Sequence, residues 1–182
     1  IGNRILYPQT LPLTTADMEL DLAILREVLR LTFSQIQKDD TLLADNPFFN
    51  STLRKILIPR RFLNFVPDLN KLTWVFVDII PKPSKKKDFF AELWTIVLTD
   101  EADEVVGSLL LPQFENLQAN LELNILGKAY KVKAGSLVVL PCPKERCQIS
   151  YKFNQGKILG KAENSLEIFG GKLGVMIDGR EK

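Results

Sequence analysis

The sequence predicts a chain with two unlike halves, an α/β lobe over residues 1–111 and a small all-β barrel or sandwich over residues 112–182. A long segment of the first half repeats apolar residues at the three- and four-residue spacing of a helix. From about Pro112 the pattern changes to period-two alternation, and glycines separate several short apolar runs. The length of 182 residues suits one medium domain or two small ones.

The first half opens with an extended lead-in, since two prolines prevent a regular helix over residues 1–14. A helix is predicted from about residue 15 to residue 38, where Thr14 or Thr15 can cap the first turn. One wide apolar stripe along it is typical of a helix that packs in a core, and a partner-binding helix is the alternative. The stripe consists of Met18, Leu22, Leu25, Leu29, Thr32, Phe33 and Ile36.

Shorter elements are predicted for the rest of the first half. Pro67 suits a first helical turn, and the helix that follows it contains enough β-branched residues to leave a strand as the alternative. The predicted elements are a loop at residues 39–47, a strand at Leu53–Ile58, a helix at Pro67–Ile80, a loop at residues 81–88, a strand at Phe89–Leu98 and a short helix at Val105–Leu111.

The second half is predicted to consist of short strands. The segment from Leu117 to Leu123 alternates at period two, and Gly127 marks the turn that follows it. The further predicted strands are Ala129–Lys133, Ser136–Leu140, Gln148–Phe153, Ser165–Phe169 and Leu173–Ile177. Several short strands at close spacing are typical of a small β-barrel or sandwich.

The composition excludes several classes of function. Hydrophobic residues make up 46% of the chain, which is enough for a folded core. The formal net charge is only +2, so a strongly basic nucleic-acid binder is disfavoured. The chain contains no histidine, so it has no histidine-based triad, metal ligand or pH switch. Acidic clusters at residues 39–40 and 100–104 are typical of solvated loops, and no catalytic or metal-binding residue is predicted.

The two cysteines and the chain ends bear on localisation. Cys142 and Cys147 are predicted to be structural, with a disulfide between them as the alternative, and a reducing cytoplasm is the expected location. No apolar run approaches the roughly 20 residues that span a bilayer, so no membrane partner is expected. Because the chain begins at Ile1, we expect it to be a piece of a longer protein.

The most distinctive motif lies near the end of the chain and contains Gly170, Gly171, Gly174, Asp178 and Arg180. Adjacent glycines permit unusual backbone angles, so the motif is compatible with a backbone anion nest assisted by the arginine. The structural alternative, which we favour, is a tight hairpin whose aspartate caps the next turn and pairs with the arginine.

A second candidate surface involves aromatic and basic residues of the predicted strands. Aromatic side chains beside lysines on a barrel face can stack on and neutralise an oligonucleotide. The residues concerned are Trp94, Tyr130, Lys131, Lys133, Tyr151, Lys152 and Phe153. Because of these residues, one alternative function is a β-barrel module that binds nucleic acid or sugar. An enzyme with a site of carboxylates and lysines between the two halves is another.

Both ends of the chain resemble the MutL-type accessory proteins of glutamate mutase, which are unrelated to the mismatch-repair proteins of that name. The segment Gly2–Pro12, with the helix that follows it, is similar to an internal GNxxxxPxTxP segment of the family. Lys133–Pro141 with Gly160 and Gly170–Arg180 is similar to the family's C-terminal end. The resemblance implies an actin-like (RNase H-like) ATPase fold. It also implies a role in assembling or reactivating coenzyme B12-dependent glutamate mutase. This chain would be the C-terminal region, without the first actin-like lobe.

The chain departs from this family at the phosphate loop. Where the family has a glycine pair, this sequence has Pro59, Arg60 and Arg61, which cannot offer the same open backbone donors. The next predicted helix still matches the family at Asp78 and Pro81. We therefore expect a degenerate actin-like lobe and no cofactor in this chain, with ATP left to a full-length relative. The expected function is non-catalytic contact with a cobalamin-dependent mutase subunit and with the missing N-terminal lobe.

Overall fold

A computed structural model describes residues 12, 14–38, 53–80, 90–100 and 102–180, which form two compact units. The helical unit lies within residues 1–43 and 59–80, and the strand unit lies within residues 44–58 and 81–182. The class is mixed α/β with more strand than helix, as expected. The predicted lead-in at residues 1–14 and the loops at 39–47 and 81–88 lie largely or wholly outside the described residues.

The helical unit begins with helix α1 (Thr15–Lys38), which confirms the predicted boundaries. Thr14 Oγ1 accepts a hydrogen bond from the Asp17 N–H at 3.1 Å, and the Asp17 carboxylate accepts one from the Thr14 N–H at 3.2 Å. This reciprocal arrangement satisfies two N–H groups that a helix start leaves without partners. The signal for α1 is therefore local, which explains why the sequence predicts its start correctly.

A 3-10 helix (Arg60–Asn64) and helix α2 (Leu69–Ile79) complete the helical unit. Helix α2 confirms the predicted helix and starts two residues beyond Pro67. Asp68 caps it, because its Oδ1 accepts hydrogen bonds from the N–H groups of Asn70 at 2.9 Å and Lys71 at 3.3 Å. The strand alternative for this segment is wrong.

The strand unit is built from short strands numbered in chain order. Within the described residues they are β1 (Leu53–Pro59), β2 (Phe90–Thr99), β3 (Glu104–Leu110), β4 (Gln113–Phe114), β5 (Asn120–Ile125), β6 (Lys128–Lys133), β7 (Leu137–Leu140), β8 (Arg146–Phe153), β9 (Gly156–Lys157), β10 (Glu163–Phe169) and β11 (Gly174–Asp178). Apart from β3, the longer strands match predicted ones to within a few residues.

The described strands assemble into open sheets. A five-stranded sheet has the order β1-β2-β3-β11-β7, and a four-stranded antiparallel sheet has the order β10-β8-β5-β6. Strand β11 runs parallel to β3 and antiparallel to β7, and β4 pairs separately with β9. Both larger sheets end in edge strands, so of the two predicted alternatives, a barrel or a sandwich, the closed barrel does not form in this part of the chain.

Strand β3 corrects the predicted short helix at Val105–Leu111. Residues 106–110 are all buried, so the strand has no exposed face and its sequence shows no alternation. Its parallel pairing with β11 also crosses the predicted boundary near residue 111. Strands β1, β2 and β3 therefore belong to the five-stranded sheet of the strand unit rather than to a separate α/β lobe.

The core of the strand unit contains buried side chains from both larger sheets. Strand β8 alternates strictly, and Ile149 and Tyr151 on its inner face meet Val175 and Ile177 of β11 in one apolar cluster. Ser108 of β3 also links the sheets, because its Oγ donates to the backbone carbonyl of the last β10 residue at 2.8 Å and accepts from that residue's N–H at 3.0 Å.

Candidate partner-binding surface

The glycine motif connects β10 to β11 and rests on the loop between the two cysteines. The N–H of Gly170 donates to the Glu145 carbonyl at 3.2 Å, and the N–H of Gly171 donates to the Cys142 carbonyl at 2.8 Å. The N–H of Gly174 donates to the Gly171 carbonyl at 3.2 Å. Because backbone carbonyls already occupy these donors, the motif is not an anion nest. The favoured hairpin is also wrong, because β10 and β11 lie in different sheets and the motif is a packed crossover between them.

Close packing explains why glycine stands at residue 170. A Cβ atom there would lie 2.1 Å from the Cys142 carbonyl oxygen and 2.3 Å from the Lys144 carbonyl oxygen. Neither backbone atom can move aside without shifting the loop, so a larger residue at position 170 would displace the loop between the two cysteines. Gly174 adopts a left-handed φ of 75°, which favours glycine for a separate reason.

The other end of β11 carries the predicted aspartate–arginine pair. The Asp178 side chain is fully buried, and its Oδ1 accepts hydrogen bonds from Arg180 Nε at 2.9 Å and from the Arg180 N–H at 3.1 Å. Arg180 also donates from Nη2 to Oδ2 at 3.1 Å. This bidentate pairing compensates the buried negative charge of Asp178, and it confirms the expected turn and ion pair.

The aromatic residues do not form the stacking surface that nucleic-acid binding would need. Trp94, Tyr151 and Phe153 are buried, and Tyr130 is half-buried. The Tyr151 hydroxyl donates to the Ile158 carbonyl at 3.0 Å. Burial, and to a smaller extent the negative charge of Glu92, raises the pKa of Tyr151. These rings therefore serve the core.

The lysines of that predicted surface lie on the outer face of the four-stranded sheet. Lys131 pairs with Glu122 at 3.8 Å, and Lys152 pairs with Glu163 at 3.3 Å. All four side chains are more than half exposed, so these pairs contribute little to stability. Their alternating signs give this face no concentrated positive charge for a phosphate backbone.

The residues at the position of the family's phosphate loop form ordinary secondary structure. Pro59 ends β1, and Arg60 and Arg61 begin the 3-10 helix. Asp78, which matches the family's next helix, pairs with Arg26 of α1 at 3.2 Å. Within the helical unit, this ion pair joins α1 to α2.

The helical unit leaves a row of large apolar side chains exposed on α1. Ile24, Val28 and Leu31 are 36%, 54% and 52% exposed, and their spacing of four and three residues places them on one helix face. None of these three residues belongs to the predicted core stripe of α1. The described members of that stripe are mostly half-buried. Sequence reasoning missed the exposed row, although its helical spacing is visible in the sequence.

An apolar groove adjoins this row and is here called the α1 groove. Its volume is about 310 Å³. Two phenylalanines around the 3-10 helix, Phe62 and Phe65, are half-buried in its wall. The lining residues are Asp21, Ile24, Leu25, Val28, Phe62, Phe65 and Val66. Six of these seven side chains are apolar, so the groove suits an apolar segment rather than a charged small molecule.

The described residues contain no metal-binding cluster and no membrane-spanning helix, and comparison with known proteins gives no match. Among the described side chains, no cluster of three or more potential metal ligands occurs. No described helix has the length and apolar character to cross a membrane. No family model matches the chain, and no similar characterised protein or solved structure was found.

Proposed function

We propose that this chain is a non-catalytic docking region that acts by protein–protein contact through the α1 groove. The observation that carries the proposal is the contiguous exposure of Ile24, Val28 and Leu31 beside a groove walled by Phe62 and Phe65. Isolated exposed apolar residues are common on proteins, but contiguous ones beside an apolar groove are characteristic of interaction sites.

An apolar helical segment of the partner is the occupant that suits this surface. Amphipathic helices bind apolar grooves through side chains spaced three and four residues apart. The exposed row of α1 has the same spacing, so a partner helix that enters the α1 groove can also pack along this row. Half-buried phenylalanines in the wall can pack closely against such a helix, because aromatic rings contribute large contact areas. The α1 groove itself is too small for a whole domain, so the exposed row of α1 would provide the rest of the contact.

The family resemblance supports a coenzyme B12-dependent glutamate mutase subunit as the partner. On this proposal, the chain belongs to a cytoplasmic accessory protein that assembles or reactivates the mutase. An actin-like lobe that binds ATP would lie N-terminal to Ile1, and this chain would bind no cofactor. The motif order at the two ends of the sequence supports this part of the proposal.

Calorimetric titration of this chain with the purified glutamate mutase subunits of its source organism tests the proposal. We expect saturable binding by the unmodified chain and at least about tenfold weaker binding by Val28→Glu, because the change places a carboxylate in an apolar contact. Leu117→Glu is the matched control, since Leu117 is 70% exposed and belongs to the strand unit. Equal binding by Val28→Glu and the unmodified chain would refute the α1 groove as the docking site.

The alternative functions have less support. A nucleic-acid or sugar module of the predicted kind needs exposed aromatic rings, and Tyr151 and Phe153 are buried. The hypothesis of an enzyme with a site between the predicted halves stays a prediction, and no observation within either unit favours it.

A further inference from the structure

Two of the connections between the larger sheets meet at one end of the strand unit. The cysteine loop, residues 142–147, follows β7 of the five-stranded sheet and leads into β8 of the four-stranded sheet. The glycine crossover, residues 170–173, leads from β10 back to β11. Both connections therefore join the same two sheets, and they run side by side.

A disulfide between Cys142 and Cys147 closes the cysteine loop. The two side chains are only 1% and 3% exposed, and both belong to the apolar core between the sheets. The bond therefore closes the loop from within the core. Whether the two sulfurs are oxidised or reduced therefore affects the packing of that core.

The glycine crossover takes its position from the cysteine loop. Its first two N–H groups, of Gly170 and Gly171, donate to carbonyls of Glu145 and Cys142. A Cβ at Gly170 would also lie 2.8 Å from Cys142 Sγ, so the crossover touches the sulfur as well as the backbone. A change in the loop must therefore alter the hydrogen bonds that hold the crossover.

We propose that the cysteine loop and the glycine crossover form a redox-sensitive clasp, which is firm when the disulfide is present and loosens when it is reduced. Closure requires an organic disulfide such as oxidised glutathione as the oxidant, which reaches the buried sulfurs when the loop opens locally. The two thiols of Cys142 and Cys147 form the Sγ–Sγ bond, the glutathione disulfide breaks, and the two thiol protons end on two glutathione thiols. A dithiol reverses the exchange.

Hydrogen exchange measured by NMR on the unmodified chain tests the clasp. The chain is equilibrated with oxidised glutathione or with dithiothreitol, and alkylation after acid quench and unfolding, followed by mass spectrometry, reports the thiol state. We expect the amides of Gly170 and Gly171 to exchange at least about tenfold faster after reduction. At the opposite end of β11, the N–H of Gly135 donates to the Gly179 carbonyl at 2.9 Å, and the N–H of Gly179 donates to the Ser136 carbonyl at 2.8 Å. These two amides should keep their exchange rates in both states.

A variant pair supplies the second arm. Gly170→Ala places a Cβ against the loop carbonyls, so a smaller fraction of the protein should be oxidised at a fixed glutathione ratio. Gly135→Ala is the control for backbone strain alone, because its φ of 80° disfavours alanine while a Cβ there meets nothing within 4 Å. Two results would overturn the proposal: both cysteines remain alkylatable after treatment with oxidised glutathione, or the disulfide forms and the exchange rates of Gly170 and Gly171 do not change.

Discussion

The helical unit and the strand unit differ in how far their apolar side chains are exposed to solvent. The strand unit buries both inner sheet faces almost completely, and Leu121, Ile149 and Ile177 have no exposed surface. Its exposed leucines are isolated: Leu57 lies on edge strand β1, and Leu117, Leu126 and Leu159 lie in loops and turns. The helical unit instead exposes neighbouring residues along α1, with Val28 and Leu31 more than half accessible. We infer that substitutions in the strand unit change stability, whereas substitutions on the exposed row of α1 change binding.

The largest effect is expected for a cavity in the core of the strand unit. Ile149→Ala should lower the free energy of unfolding by about 2–5 kcal/mol, because the deletion leaves a void in tight packing. Val28→Ala, the comparison in the helical unit, should cost no more than about 0.5 kcal/mol. Trp74 lies in the helical unit and Trp94 in the strand unit. The tryptophan fluorescence of variants that keep only one of them therefore follows the urea unfolding of each unit separately. Equal costs for the two substitutions would contradict the contrast between the units.

A buried and an exposed ion pair give the next comparison. Arg180→Met removes the guanidinium from the fully buried carboxylate of Asp178, and we expect a loss of about 3 kcal/mol of stability. Lys152→Met breaks a pair of similar length on the exposed sheet face and should cost less than about 1 kcal/mol. Urea unfolding measures both, and a cost for Arg180→Met as small as that for Lys152→Met would show that the pair is dispensable.

The smallest effect on stability concerns the buried tyrosine. Tyr151→Phe removes the hydrogen bond to the Ile158 carbonyl and should cost about 1 kcal/mol near neutral pH. The raised pKa of Tyr151 stabilises the fold below about pH 10, and this contribution is lost as the pH rises further. The unmodified chain should therefore lose stability more steeply than Tyr151→Phe as the pH rises above about 10. Parallel slopes in urea unfolding would contradict this role.

Local signals made much of the fold predictable from the sequence. Thr14 and Asp17 fix the start of α1 by bonds within one turn, and the alternation in β8 reflects one buried face. Strand β3 was missed because it is buried on all sides and pairs with β11, which is distant in sequence. The same pairing moved the boundary between the units away from residue 111. Non-local pairing leaves no periodic trace in a short segment.

The candidate sites depended still more on non-local contacts. The role of Gly170 follows from its approach to the Cys142 carbonyl, which no spacing in the sequence discloses. The pair of Asp178 and Arg180 was predictable, because the partners are two residues apart. The exposed row on α1 has a visible period, but exposure depends on how much of α1 the rest of the helical unit covers.

Site-specific photocrosslinking tests the central claim, contact through the α1 groove, most directly. A photoreactive benzoylphenylalanine replaces Val28 in one protein and Leu117 in another, and each is irradiated with the glutamate mutase subunits. The account predicts a covalent adduct from position 28 and none from position 117, because only the former lies beside the α1 groove. Adducts from position 117 with none from position 28 would contradict it.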